Sequence, residues 1–133
     1  MRRDIKNRAD IHKLVHAFYD RLLKEESFKH LFFEVADIDV LEHLDIIVDF
    51  WESVLFQAGK YKRDVLQKHL DLHMLHPLTE KHFNQWLSLF NETVDEHFSG
   101  EKAKGAKDRA LSIATIIRMK IIDLENRRLA LNN

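Results

Sequence analysis

The sequence predicts an all-α fold, and three observations predict it. Apolar residues recur at three- and four-residue intervals in nearly every segment, no stretch alternates with period two long enough to make a strand, and only three Gly and one Pro interrupt the chain. The first helix starts near Asn7, a good N-cap type with Asp10 in the first turn, and carries Ile11, Leu14, Val15, Phe18 and Leu22 at helical spacing. Lys24 to Ser27 closes it. A short helical piece around Phe28 to Phe33 follows, and Asp37 or Asp39 caps a second long helix from about Val40 to Gln57, which Gly59 ends. Lys60 to Asp64 is a polar connection, and Val65 to Leu72 is a short helix ahead of the only Pro, Pro77. Thr79 caps a strongly amphipathic helix holding Phe83, Trp86, Leu87, Phe90 and Val94, which Gly100 terminates. The last helix, from about Lys102 to Arg127, sets Leu111, Ala114, Ile117, Ile121 and Leu124 on one stripe.

Length and composition bound the organisation. With 133 residues the chain fits one domain, spanning 1–133, with room for one buried ligand. A composition 45% hydrophobic and 32% charged is globular, not disordered. The formal charge of −1 offers no field for nucleic acid or anionic lipid. Zero Cys excludes disulfides, thiolate metal sites, iron–sulfur clusters and covalent c-type haem. The N-terminal residues hold no apolar run of signal-peptide length, and no stretch reaches the roughly 18 apolar residues of a membrane span. A cytoplasmic protein with no membrane partner is the expectation.

Nine His are the feature that needs explaining. His12, His30 and His97 fall among charged neighbours and read as surface positions. His43 differs, because His43, Ile47, Phe50 and Val54 share the apolar face of the second helix, so its imidazole points inward, as a core histidine or as a functional one. His69 shares a face with apolar residues of its short helix and is a candidate metal ligand. The pairs His12/His16 and His69/His73 have the i, i+4 spacing that chelates a metal from one helix, a pattern that a His-rich helical chain also produces by chance. Tyr19 and Trp86 each bury a ring with one hydrogen-bond donor. Either reads alone as ordinary core; with His43 they can supply three donors to one pocket. No Glu-x-x-His pair, H-E-x-x-H, Gly-rich phosphate loop or G-x-S-x-G elbow occurs, so di-iron bundles, metalloproteases, nucleotide enzymes and common hydrolases lack support. Periodicity alone does not separate a helical bundle from a globin.

The chain resembles the bacterial group III truncated haemoglobins. The resemblance rests on FYDRL at 18–22, LFFEV at 31–35, HLDIIVDFWESVLFQAGKYK at 43–62, KHLDL at 68–72, HPLTEKHFNQWLSLFNETVDEHFSGEKA at 76–103 and RALSIATIIRMKI at 109–121. It runs from about residue 4 to 122, and the Gly-Gly pairs of the other truncated groups are missing. The resemblance implies a two-over-two globin sandwich around non-covalent haem b. It implies His69 as the proximal iron ligand, with His73 the competing candidate on the same helix, and Tyr19, His43 and Trp86 as the distal set. Phe32, Ile47, Phe50, Lys68, Leu72 and Phe83 are the implied haem contacts, Lys68 towards a propionate.

A distal pocket with three donors implies tight dioxygen binding, and oxygen or nitric oxide chemistry or peroxide reduction fed by an external reductase, more than reversible transport. Two other classes compete with it. A His-ligated non-haem metal protein predicts bound metal without a Soret band, and a cofactor-free helical interaction module predicts a core closed by Phe and Trp.

Overall fold

The computed structural model of the chain describes residues 2–36, 38–57 and 65–131; among them the fold is six α-helices and one π-helical stretch, with no strand. Helix α1 (Arg8–Leu22) begins where Asn7 leaves extended backbone and its side chain accepts from the Asp10 N–H at 2.9 Å. Its buried face is Ile11, Leu14, Val15, Phe18, Tyr19 and Leu22, the predicted stripe with Tyr19 added.

The short helical piece expected over 28–33 starts earlier and winds wider. Glu26–Lys29 makes one α-helical turn, α2, and His30–Val35 continues as a π-helix, with the Ala36 N–H reaching back five residues to the Leu31 carbonyl at 2.9 Å. Wider winding rotates side chains off the ordinary helical face. Here it turns Phe32 onto the core while Phe33 is left 48% exposed.

Helix α3 (Val40–Phe56) is capped by Asp39, which accepts from the Glu42 N–H at 3.3 Å; Asp37, the other candidate cap, lies outside the described residues. The helix ends at Gln57 in the left-handed conformation, φ 55°, while Gly59 and the 60–64 connection also lie outside the described residues. Leu44, Val48, Trp51 and Leu55 are its buried stripe, one residue on from the predicted series His43, Ile47, Phe50 and Val54, which is half-buried. The helix presents two adjoining apolar stripes, the first to the packed core.

Helix α4 (Val65–Leu75) runs about a turn past its expected end at Leu72, which brings His73 inside it and leaves His76 beyond. Helix α5 (Glu80–His97) opens on a capping box: the Thr79 hydroxyl accepts from the His82 N–H, and His82 Nδ1 accepts from the Thr79 N–H at 3.0 Å. Histidine here does what Glu or Gln does in the usual box. The helix stops at Phe98, and Gly100 proves to be part of the next helix's start.

Helix α6 (Glu101–Leu131) is 31 residues long, longer than expected at both ends. Its first turn is capped from the other end of the chain, since the Asp4 carboxylate accepts from the Lys102 and Ala103 N–H groups, each at 2.8 Å. Gly100 has φ +141°, and a Cβ there would sit 2.6 Å from the Asp4 Cγ, so only Gly lets the two segments meet. The buried stripe of α6 is Ala103, Ala106, Ala110, Ala114, Ile117 and Ile121. Leu111 was expected on it and is 54% exposed. It stands about 100° round the helix from Ala110, at the edge of the stripe, and the smaller residue takes the contact.

Helix α1 packs on α3 and α5, α5 lies along α6, and α4 and α3 each meet α6. The result is a two-over-two sandwich, α1 with α3 against α5 with α6. At its centre Phe90 is fully buried, stacked between Trp51 (5.0 Å, 17°) and Trp86 (5.6 Å, 9°), with the Phe18 ring edge-on at 5.2 Å. Among the described residues no helix is long and apolar enough to cross a membrane.

Candidate functional site

The second stripe of α3 faces a cavity of about 380 Å³ lined by α1, α2, the π-helical stretch, α3, α4, α5 and α6. Close-packed interiors rarely keep voids much larger than a water molecule, and this volume lies in the range of sites built for organic ligands. All ten residues singled out in the sequence line it: Tyr19 from α1, Phe32 from the π-helix, His43, Ile47 and Phe50 from α3, Lys68, His69 and Leu72 from α4, and Phe83 and Trp86 from α5.

The polar groups are few and paired. The Tyr19 hydroxyl and His43 Nε2 are hydrogen-bonded at 3.1 Å, the imidazole tautomer deciding which donates. Phe32 sets the orientation of both rings, edge-on to Tyr19 at 5.7 Å and to His43 at 5.4 Å. Burial pushes the Tyr19 phenol far above its ordinary value, so it stays protonated as a donor. Burial also pushes His43 down to about 4, with the charge of His69 adding to the effect, so His43 is neutral near pH 7. His69, from α4, lines the same cavity as the Tyr19–His43 pair. Trp86 is wedged edge-on against Phe18 at 5.7 Å. Lys68 is exposed at the rim.

His73 does not share this cavity. It is 5% exposed, Nε2 donates to the Glu125 carboxylate at 2.7 Å, and Nδ1 accepts from the Leu78 N–H at 2.9 Å. His12 and His16 stack on each other on α1 with ring centroids 3.9 Å apart. Among the described residues no three His, Cys, Asp or Glu side chains converge to hold a metal ion. A metal bound by protein alone needs three or four ligands, whereas haem iron brings its porphyrin nitrogens and asks for a single imidazole on one side. A large apolar cavity that offers imidazoles and hydrogen-bond donors, with no carboxylate among its described lining residues, fits haem.

Sequence reasoning missed several wall residues. Trp51 lies one turn beyond Ile47, and His82 one turn before Trp86, so helical spacing could have found both. Ile113, Ala114 and Ile117 of α6 close the far side, and only the tertiary packing brings them there. Burial, His76 and Lys81 lower the pKa of His82.

A two-over-two helical sandwich around an apolar cavity with a histidine on one wall defines a truncated globin. Comparison with known proteins agrees. A scan against models of known protein families finds no match. The Group 3 truncated hemoglobin ctb of Campylobacter jejuni is 31% identical over 112 residues, 82% of this chain and 86% of that protein. The crystal structure of a group III truncated hemoglobin from Campylobacter jejuni superposes with a TM-score of 0.79 at 29% identity, over 91% of this chain and 95% of that one. The chain belongs to the group 3 truncated haemoglobin family, and membership of a globin family implies a haem cofactor.

Proposed function

We propose that the protein holds haem b without a covalent bond, with His69 as the proximal iron ligand and Tyr19, His43 and Trp86 as the distal set. The observation that carries the reading is that the hydrogen-bonded Tyr19–His43 pair and His69 line one apolar cavity. Bound haem would supply a reducible iron that takes dioxygen or nitric oxide as a ligand.

The chain's own residues do the rest. The His69 imidazole would offer one ring nitrogen to the iron. Tyr19, kept protonated by burial, would donate its hydroxyl to an anionic group in the cavity, as would the His43 ring and the Trp86 indole N–H that line the same space. Phe18, Leu22, Phe50 and Trp51 exclude water, so each of these donors acts in a low dielectric where it counts for more. Phe32, Ile47, Phe50, Leu72 and Phe83 would hold the macrocycle, and Lys68 at the rim would pair with a propionate. Such a pocket slows ligand release and suits oxygen or nitric oxide chemistry in the cytoplasm, with electrons from an external reductase, better than it suits transport.

The test is an absorption spectrum of the purified protein with and without added haemin, repeated for His69→Ala and His73→Ala. A Soret band lost or severely weakened in His69→Ala and kept in His73→Ala is the expected result. No band in the parent protein after reconstitution would overturn the haem assignment, and the reverse pattern would move the ligand to His73. Stopped-flow mixing of the oxygenated protein with nitric oxide then tests the reaction class.

A further inference from the structure

Helix α4 carries His69, and among its described side chains Leu70 and Leu72 pack only partly buried against the core. At 11 residues it is below the length at which a helix is stable by itself, so its setting depends on packing. Of its described side chains, 67–75, only His73 is fully buried; the others are half-buried or exposed. Among the described side chains the one deep contact is therefore polar, and both ring nitrogens of His73 are hydrogen-bonded. Because His73 Nδ1 accepts from the Leu78 N–H, the neutral ring carries its proton on Nε2 and donates it to Glu125 Oε1. Glu125 Oε1 also accepts from Arg128 Nη1 at 3.0 Å. The hydrogen bond from His73, opposed by burial and supported by Arg128, keeps the Glu125 carboxyl below its ordinary range, so it is a full acceptor at neutral pH. One imidazole thus ties α4 to α6 on one side and to the connection before α5 on the other.

We propose that His73 and Glu125 are positioning residues that fix the rotation of α4 and so aim the His69 imidazole into the cavity. The proposal rests on the reading of His69 as the haem ligand. His69 and His73 are one turn apart, so fixing one fixes the other. A rotation of about 10° moves a side-chain tip at the helix's outer radius by about 1 Å, enough to strain or lengthen a ligand bond.

The experiment uses the haem-loaded full chain. Resonance Raman of the ferrous protein reads the iron–histidine stretching band, transfer to a haem scavenger reads retention, and urea unfolding of the haem-free protein reads stability. Glu125→Ala should shift or broaden the band and speed haem loss roughly tenfold or more, as loss of a group that orients a ligand usually does. Glu125→Gln, which still accepts from Nε2, should restore both; a purely structural contribution would lower the urea midpoint without moving the band. Should Glu125→Ala retain no haem, Glu125→Asp, one methylene shorter, should give a smaller change of the same sign. An unchanged band and haem-loss rate in Glu125→Ala, or Glu125→Gln as damaged as Glu125→Ala, overturns the proposal. His69→Gly separates the two readings, because a band that survives in it means that His69 is not the ligand, whatever Glu125 does.

Discussion

Replacing Tyr19 by Phe removes one oxygen atom from the cavity and leaves the ring stacking intact, so it isolates the hydroxyl. Its effect on dioxygen release is a difference between two hydrogen bonds. In the structure at hand the hydroxyl is already committed to His43 Nε2 at 3.1 Å. A hydrogen bond between neutral groups contributes about 0.5–1.5 kcal/mol, and one to a ligand bearing negative charge about 1.5–3 kcal/mol. Turning from His43 to the ligand therefore gains about 1–2 kcal/mol, and its loss should speed dioxygen dissociation roughly 5- to 30-fold. The assay is stopped-flow displacement of dioxygen by carbon monoxide in the parent and the variant. His43→Leu supplies the control: with the partner of the 3.1 Å bond gone, the hydroxyl has no neutral bond to surrender, so Tyr19→Phe in that background should cost more than in the parent. An unchanged off-rate in Tyr19→Phe would remove the hydroxyl from ligand stabilisation, and strictly additive effects of the two substitutions would refute the competition.

Two further predictions concern the frame. Gly100→Ala forces a side chain into φ +141° and against Asp4, and should cost about 1–3 kcal/mol, or roughly 4–10 °C in Tm, by calorimetry of the haem-free protein. Gly105→Ala, helical and with its nearest neighbour 3.9 Å away at Leu55, should instead stabilise by about 0.5–1 kcal/mol. Acid stability should track Asp10, which its hydrogen bonds from Arg3 at 2.6 and 2.7 Å hold below its ordinary 3.8 despite burial, with the Lys6 and Asn7 backbone assisting. A depressed folded pKa means stability that is complete above the ordinary value and is lost as pH falls through the folded one. The urea midpoint should accordingly fall below about pH 4 in the parent and fall less in Asp10→Asn; equal slopes would assign the acid sensitivity elsewhere.

What was legible in the sequence is what local chemistry decides. Asn7, Asp39 and Thr79 each cap the helix that their residue type announced. The misreadings have distant causes. Helix α4 outran Leu72 because the partner of His73 is 52 residues away. Gly100 looked like the stop of α5, since the residue that demands it, Asp4, comes 96 positions earlier in the chain. Leu111 looked more apolar than Ala110, but the stripe is chosen by how closely two helices approach, and Ala permits the closer contact. The widened turn after Lys29 follows from no single residue type. For the site, spacing could say that His43, Tyr19 and Trp86 point inward, but not that they line one cavity with His69. That juxtaposition is tertiary, and similarity to a family supplied the expectation.

The stacked pair that sandwiches Phe90 has an optical consequence. The chain holds two tryptophans, Trp51 and Trp86, and both line the cavity. All indole emission of the protein therefore originates within a few ångströms of whatever fills that space. A strongly absorbing macrocycle there would quench it by energy transfer, so the polypeptide carries its own gauge of cofactor loading, readable without a label and insensitive to events on the outer faces of the helices.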